Sequence, residues 1–148
     1  MKKIFTLFII VFVLGCSKNS TSQMELSFSL IGQDNLYGVG TEGITKSNLI
    51  IKDSSSWNNI MAKMNLQNNQ TDKFTETSVD FNQYIIVAIF DKVYGNGGHT
   101  IDVTSITENE SNIIIKVENL SKGALINVVT QPYHIVKILK TDKNIVFE

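Results

Sequence analysis

The chain has 148 residues, with 13 basic and 14 acidic side chains, a formal net charge of −1 and no arginine. Nucleic-acid and phosphate sites depend on clustered basic residues and on the bidentate guanidinium group, which lysine does not provide. The composition therefore argues against a nucleic-acid partner, and the length suits a single domain with its own core.

Residues 1–15 have the pattern of a secretory signal peptide. Lys2 and Lys3 are followed by the apolar run 4–13, interrupted only by Thr6, and a small residue ends the segment. Ten helical residues rise about 15 Å, roughly half of a bilayer's hydrocarbon core. We therefore expect a cleaved signal peptide and not a permanent membrane span.

The segment "VLGCSKNS" that follows resembles the lipobox of bacterial lipoproteins, with Cys16 at the attachment point. The resemblance implies lipidation of Cys16 and an extracytoplasmic, lipid-anchored protein of the bacterial cell envelope, at the outer membrane rather than the inner one. An ordinary cleaved signal or a buried cysteine is the alternative. Cys16 is the only cysteine, so no disulfide or thiol nucleophile remains if it is acylated. Residues 16–23 contain no large apolar side chain and are interpreted as a tether.

The segment "MELSFSLI" (24–31) alternates apolar and polar residues, which predicts one half-buried strand. A glycine-rich turn region follows, and "NLIIK" (48–52) is typical of another short strand.

One segment has helical spacing instead. Trp57, Ile60, Met61 and Met64 fall at i, i+3, i+4 and i+7, and a serine of the 54–56 run can cap the helix. The stripe could be a ligand-binding face, but the spacing favours a helix packed on a sheet.

The run Tyr84–Phe90 is apolar at every position and predicts a central strand covered on both faces. Further strand patterns lie at 100–106, 112–120, 126–139 and 145–148. A last tight turn is predicted at 141–144, between the final two of these strands. Short strands at regular spacing with one amphipathic helix predict a mainly β (α+β) fold over residues 24–148. We expect an antiparallel β-sandwich or a partly open barrel.

The stretch "GNGGH" lies between the buried strand and an alternating one, and its candidate partner-binding residues are Gly95, Asn96, Gly97, Gly98 and His99. A phosphate-binding loop would need a helix after it, whereas strand periodicity follows here. Two interpretations stay open, a tight or bulged turn and a recognition loop. If the stretch is a recognition loop, we expect "QPY" to form one recognition end with it. Its exposed candidate residues would be Gln131, Pro132 and Tyr133.

Five motifs in this order resemble the C-terminal domain of the protease-complex subunit PrcB family: "SSSWNNIMAKM", "VDFNQYIIVAIF", "GNGGHTIDV", "QPYHIVKI" and "NIVFE". The resemblance covers about residues 44–148, and His99 stands where the family usually has an aromatic residue. It implies a small envelope protein with an accessory or binding role beside a protease, without an activity of its own.

A looser resemblance concerns chagasin-type inhibitors of papain-like cysteine proteases, which present a glycine-rich loop and a Pro-aromatic loop from one end of a sandwich. Here "GNGGH" and "QPY" would take those parts. The Asn-Pro-Thr-Thr-Gly loop of the inhibitors is missing, and the Pro-aromatic element is matched only in part.

The sequence contains no catalytic or metal-binding motif of high specificity. His99 and His134 are the only histidines, and neither has the H-E-x-x-H spacing or a G-x-S-x-G neighbour. Asp80, Asp91 and Asp102 are typical of turns and sheet surfaces. The sequence therefore predicts a non-enzyme without metal or cofactor. We expect a lipid-anchored binding or accessory protein with a protein partner, possibly a protease; the alternatives are a cysteine-protease inhibitor and a purely structural envelope lipoprotein.

Overall fold

The computed structural model describes residues 23–148. The predicted signal peptide, Cys16 and nearly all of the tether lie outside the described residues. The described part contains eight strands, one α-helix and a short 3-10 helix at Gln70–Lys73: β1 Met24–Glu25, β2 Ser29–Leu36, β3 Ser47–Ile51, α1 Ser54–Met64, β4 Tyr84–Phe90, β5 Asp102–Glu108, β6 Asn112–Glu118, β7 Gln131–Leu139 and β8 Asn144–Phe147.

The strands form two four-stranded sheets, with the orders β1-β5-β6-β8 and β2-β7-β4-β3. Every pairing is antiparallel except that of β6 with β8, which is parallel. The sheets do not close into a barrel. The expectation of a mainly β fold with one amphipathic helix is confirmed, and the sandwich is the form it takes.

Strand β4 lies inside its sheet and is covered on both faces, as its continuous apolar run predicted. Ile85, Val87 and Ile89 join the core between the two sheets. Ile86, Ala88 and Phe90 alternate with them and join a second core under helix α1. The described residues therefore form three layers, because the β2-β7-β4-β3 sheet packs one face against helix α1 and the other face against the β1-β5-β6-β8 sheet.

Helix α1 packs through the predicted stripe, with Trp57 and Met64 buried. The Trp57 ring stacks on Phe74 at 5.8 Å between centroids, and its Nε1–H donates to the Thr77 carbonyl at 2.8 Å. The cap is Asp53 and not a serine. Its Oδ1 accepts the backbone N–H of Ser56 at 2.8 Å, because the serines are already the first helical residues.

Three strand predictions need correction. The 24–31 segment is divided between β1 and β2, which belong to different sheets. The 141–144 segment is no hairpin turn, since β7 and β8 also belong to different sheets. Of the predicted strand at 126–139, only the part from Gln131 onward is strand. The alternation in the sequence continues through the crossing, although Leu26 and Phe28 pack against the core between the sheets and Ile31 belongs to the core under helix α1.

Three connecting segments lie at one end of the sandwich, which we call the loop end: residues 37–46, 91–101 and 119–130. The register places them together, since Leu36 pairs with Gln131 and Asp102 pairs with Glu118. Met24 pairs with Glu108, at the other end of β5. The described chain therefore begins about 20 Å from the loop end, at six residues of strand rise.

Candidate functional site

Two segments of the loop end, 91–101 and 119–130, lie against each other along their length, and we call this pair the double loop. Tyr94 and Thr130 exchange two backbone hydrogen bonds, of 2.8 and 3.0 Å. Gly97 N–H donates to the Ile126 carbonyl at 2.9 Å, and Ala124 N–H donates to the Gly97 carbonyl at 2.9 Å. The backbone of the glycine-rich stretch is thus held by the second segment, over a distance of about 30 residues in sequence.

Close approach of the two segments explains two of the three glycines. A Cβ at Gly97 would lie 2.8 Å from Cγ1 of Val128. Gly98 has φ +81° and would place a Cβ 2.9 Å from that of Ala124. Gly95 differs, since a Cβ there would meet nothing within 4 Å. Gly97 and Gly98 therefore serve the packing of the double loop, and Gly95 is a surface position.

His99 lies beneath the second segment and is 9% exposed. Its ring stacks on Tyr94 with 3.6 Å between centroids and 11° between planes, and its Nε2 lies 3.1 Å from Oδ1 of Asn96. The expectation of an exposed His99 is wrong, because the chain around Gly123 passes directly over the imidazole. His99 supports the double loop from within.

A buried carboxylate fixes the base of the double loop. Asp91 accepts the hydroxyl of Tyr94 at 2.7 Å, Nδ2 of Asn119 at 2.8 Å and the N–H of Lys92 at 2.8 Å. The ammonium of Lys46 lies 3.1 Å from its Oδ1. Each segment of the loop end therefore contributes a hydrogen-bonding group to one side chain.

The hydrogen bonds to Asp91 decide its charge. Burial alone would raise the pKa of this carboxyl, but the donors around it, Tyr94 first, hold the pKa below its ordinary value. Conversely, the pKa of Tyr94 is raised to about 12, mainly by burial and secondly by the neighbouring Asp91 carboxylate. The pair is thus an ionised acceptor and a neutral donor at physiological pH.

Gln131, Pro132 and Tyr133 are also buried, so their expected exposure is wrong. They begin β7, which lies between β2 and β4, and a strand with partners on both sides has no free backbone edge. Gln131 Nε2 donates to the carbonyls of Ile44 and Asp91, both at 2.9 Å. Tyr133 packs in the core against the rings of Phe74 and Phe90. Gln131 thus links two segments of the loop end, Tyr133 belongs to the core, and none of the three residues is exposed.

The exposed surface of the double loop comes from a segment that the sequence analysis did not select. Leu125 is fully exposed, Leu120 is 69% exposed and Ile126 is 51% exposed. An open groove of about 370 Å³ lies beside them and is lined by Gly95, Asn96 and residues 124–127. Leu125 and Ile126 line this groove directly, and exposed apolar side chains beside a groove are a feature of interaction sites. Gly95 and Asn96 therefore stay candidate partner-binding residues, and 120–128 joins them.

His134 has a packing role in strand β7. It is 6% exposed, and its Nδ1 accepts the backbone N–H of Val103 at 3.0 Å, which ties β7 to β5 across the core. Burial lowers the pKa of His134, and the nearby Asp102 carboxylate opposes this only in part. Asp102 itself is held by the Thr100 hydroxyl at 2.6 Å and by the amide of Gln33. The imidazole is thus neutral and serves as an acceptor.

The lowered pKa predicts a pH-dependent loss of stability. Below the ordinary value of 6.5, the unfolded chain binds a proton at His134 that the folded chain refuses, so stability falls as the pH decreases from 7 to 5. His134→Asn keeps an oxygen acceptor for Val103 and does not titrate. We expect the urea midpoint of this variant to fall less over that pH range than that of the wild type.

The wild type, measured over the same pH range, is the reference for this variant. An equal fall in the His134→Asn variant and in the wild type would contradict the assignment.

Among residues 23–148, no group of three His, Cys, Asp or Glu side chains is arranged to hold a metal ion. In the same part of the chain, no helix has the length and apolar character needed to cross a bilayer.

Asp80, one of the three aspartates considered above, caps a turn by accepting the N–H of Asn82 at 2.9 Å and the amide of Gln83 at 2.8 Å.

The fold and the loop end thus define a β-sandwich domain with an ordered, apolar double loop at one end. Comparisons with family models, with curated proteins and with solved structures found no match to the chain. The resemblances to the PrcB family and to chagasin-type inhibitors stay predictions.

Proposed function

We propose that the chain is a lipid-anchored, extracytoplasmic protein that binds a protein partner through the double loop, as an accessory member of a protease complex. The observation that carries this proposal is the exposure of Leu120, Leu125 and Ile126 on a backbone held by hydrogen bonds. A backbone that is already held by hydrogen bonds loses little conformational entropy on binding, which favours a specific partner. The protease association rests on the motif order described above.

The position of residue 24, where strand β1 begins, supports the same proposal. Residue 24 lies at the end of the sandwich opposite the double loop. A tether from an acylated Cys16 would therefore enter at the far end and leave the double loop facing away from the anchoring membrane. An envelope protein with a purely structural role would not need this arrangement, since it gives no function to the exposed leucines.

The inhibitor alternative is less well supported. It requires an exposed Pro-aromatic loop beside "GNGGH", whereas Pro132 and Tyr133 are buried in β7. The segment that does lie beside the glycines, 119–130, has neither a proline nor an aromatic residue.

Site-specific photocrosslinking tests the proposal. Benzoylphenylalanine at position 125 should give adducts with a protein in the native envelope, because this side chain is fully exposed on the double loop. Position 139 is the matched control, since Leu139 is also exposed, at 70%, and ends β7 about 26 Å of strand rise from Gln131 at the loop end. The adducts would be identified by mass spectrometry.

The proposal fails if position 125 gives no protein adduct, or if both positions give the same adducts. Cys16→Ser in the same background separates anchoring from binding, because loss of the acylated cysteine should release the protein from the membrane fraction and leave the domain folded. If the partner is a protease, its peptide hydrolysis should continue in the complex; stoichiometric block would favour the inhibitor.

A further inference from the structure

The exposed charged side chains of the loop end are all lysines, namely Lys46, Lys92 and Lys122. Lys92 and Lys122 are exposed, lie within a few residues of the groove along the chain, and take part in no ion pair within residues 23–148. The acidic residues of the loop end are withdrawn from solvent: Glu42 is 2% exposed and Asp91 is 1% exposed. Glu42 accepts the Gly38 N–H at 2.8 Å, and Asp91 has the partners described above.

This local charge runs against that of the rest of the molecule. Residues 23–148 contain ten lysines and fourteen acidic residues, so the described chain is acidic as a whole. The exposed positive charge of the loop end is therefore a property of this end of the sandwich and not of the composition. A positive rim attracts and orients partners with negative charge.

The apolar part of the site has both a protruding and a concave element. Leu125 projects from the double loop, and the groove of about 370 Å³ lies beside it. Gly95 contributes no side chain to this groove, and the space where its Cβ would point is open. A groove next to a projecting leucine fits a side chain received from a folded or helical partner better than it fits a flat bilayer.

A tether of eight residues would also limit how closely the double loop can approach the anchoring membrane. Residues 16–23 reach at most about 27 Å when fully extended. They would have to span the roughly 20 Å of β5 and the double loop beyond it to bring this end back to the bilayer. The geometry favours a protein that approaches from the opposite side.

We propose that the double loop binds an acidic amphipathic segment of a protein, with an apolar side chain in the groove and carboxylates facing Lys92 and Lys122. This inference rests on the proposed function and specifies the chemistry of its partner. Apolar contacts supply the affinity, and the lysines select segments that carry Asp or Glu beside the apolar residues.

Gly95 allows a test of charge at constant size. Its φ is not in the left-handed region, and its Cβ direction is open, so Gly95→Glu and Gly95→Lys should both fold with the wild-type Tm. Both side chains obstruct the groove to a similar degree, but their charges are opposite. In the full-length chain with benzoylphenylalanine at position 125, we expect Gly95→Glu to lower the protein adduct at least about fivefold more than Gly95→Lys does.

The cross-linked segment gives a second readout. Mass spectrometry should locate the adduct in a segment with apolar residues flanked by Asp or Glu, and Lys92→Glu combined with Lys122→Glu should lower its yield. Equal losses in the two Gly95 variants, or a basic or uncharged cross-linked segment, would overturn the inference and leave the proposed function in place. Adducts with lipid alone would overturn both, in favour of a membrane surface.

Discussion

Replacing Trp57 by alanine is expected to lower the free energy of unfolding by about 3–5 kcal/mol, the usual cost of truncating a buried aromatic side chain. The ring is 1% exposed, stacks on Phe74 and donates to the Thr77 carbonyl. It is therefore the main connection between helix α1 and the segment that follows the 3-10 helix. Urea unfolding followed by circular dichroism would measure the loss.

Trp57→Phe is the informative control, because it keeps an aromatic ring against Phe74 and loses only part of the volume and the hydrogen bond. We expect a loss about half as large or smaller. Asn58→Ala, on the exposed side of the same helix, should change stability by less than about 0.5 kcal/mol. Similar losses at 57 and 58 would mean that the helix is not docked as described.

The second large effect is expected at Asp91. Asp91→Ala leaves the Tyr94 hydroxyl and the Asn119 amide without their shared acceptor inside the loop end. Removing a buried, hydrogen-bonded charge should cost about 3 kcal/mol or more. Thermal unfolding would measure this cost, and tyrosine absorbance would report the altered environment of Tyr94.

Two variants separate the contributions at this site. Asp91→Asn keeps an oxygen acceptor for Tyr94 and should be less damaging than Asp91→Ala. Lys46→Ala should cost less than about 1 kcal/mol, because the lysine side chain is 65% exposed and its ion pair is screened by solvent. A larger loss in Lys46→Ala than in Asp91→Ala would contradict the role given to the carboxylate.

The elements that the sequence predicted well are those whose signal is local. The run Tyr84–Phe90 is apolar at every position, and it is strand over this whole range. The helical stripe of Trp57 and Met64 is likewise complete within eleven residues. In both cases, the side-chain pattern and the buried faces come from one continuous segment, so no knowledge of distant residues was needed.

Errors arose where the chain changes from one sheet to the other. The alternation of residues 24–31 continues through the crossing, and nothing in it marks the end of β1 or the start of β2. The parallel pairing of β8 with β6 depends on a connection through 140–143, and composition alone does not distinguish this connection from a hairpin turn. Periodicity reports which face is buried, but it does not report the neighbouring strand.

At the candidate site too, the sequence indicated the local segment but not its partner in the tertiary structure. The sequence selected Gly95–His99, and the structure places this segment in the double loop. Its partner was assigned to 131–133, whereas 119–130 fills that place. The signal was present in "GALINVV" (123–129), of which the part from Ile126 onward was interpreted as the start of a strand. Apolar residues that belong to a strand and those that form a binding surface have the same composition, and only the tertiary structure separates them.

The central claim is that the double loop is an ordered surface before any partner binds. Amide hydrogen exchange on the isolated domain tests it most directly, at Gly97, Ala124 and Thr130, whose N–H groups donate across the two segments. We expect these amides to exchange about a hundredfold or more slowly than in an unstructured peptide. Exchange at the unstructured rate would show that the two segments are not held together, and the prearranged binding surface would not exist.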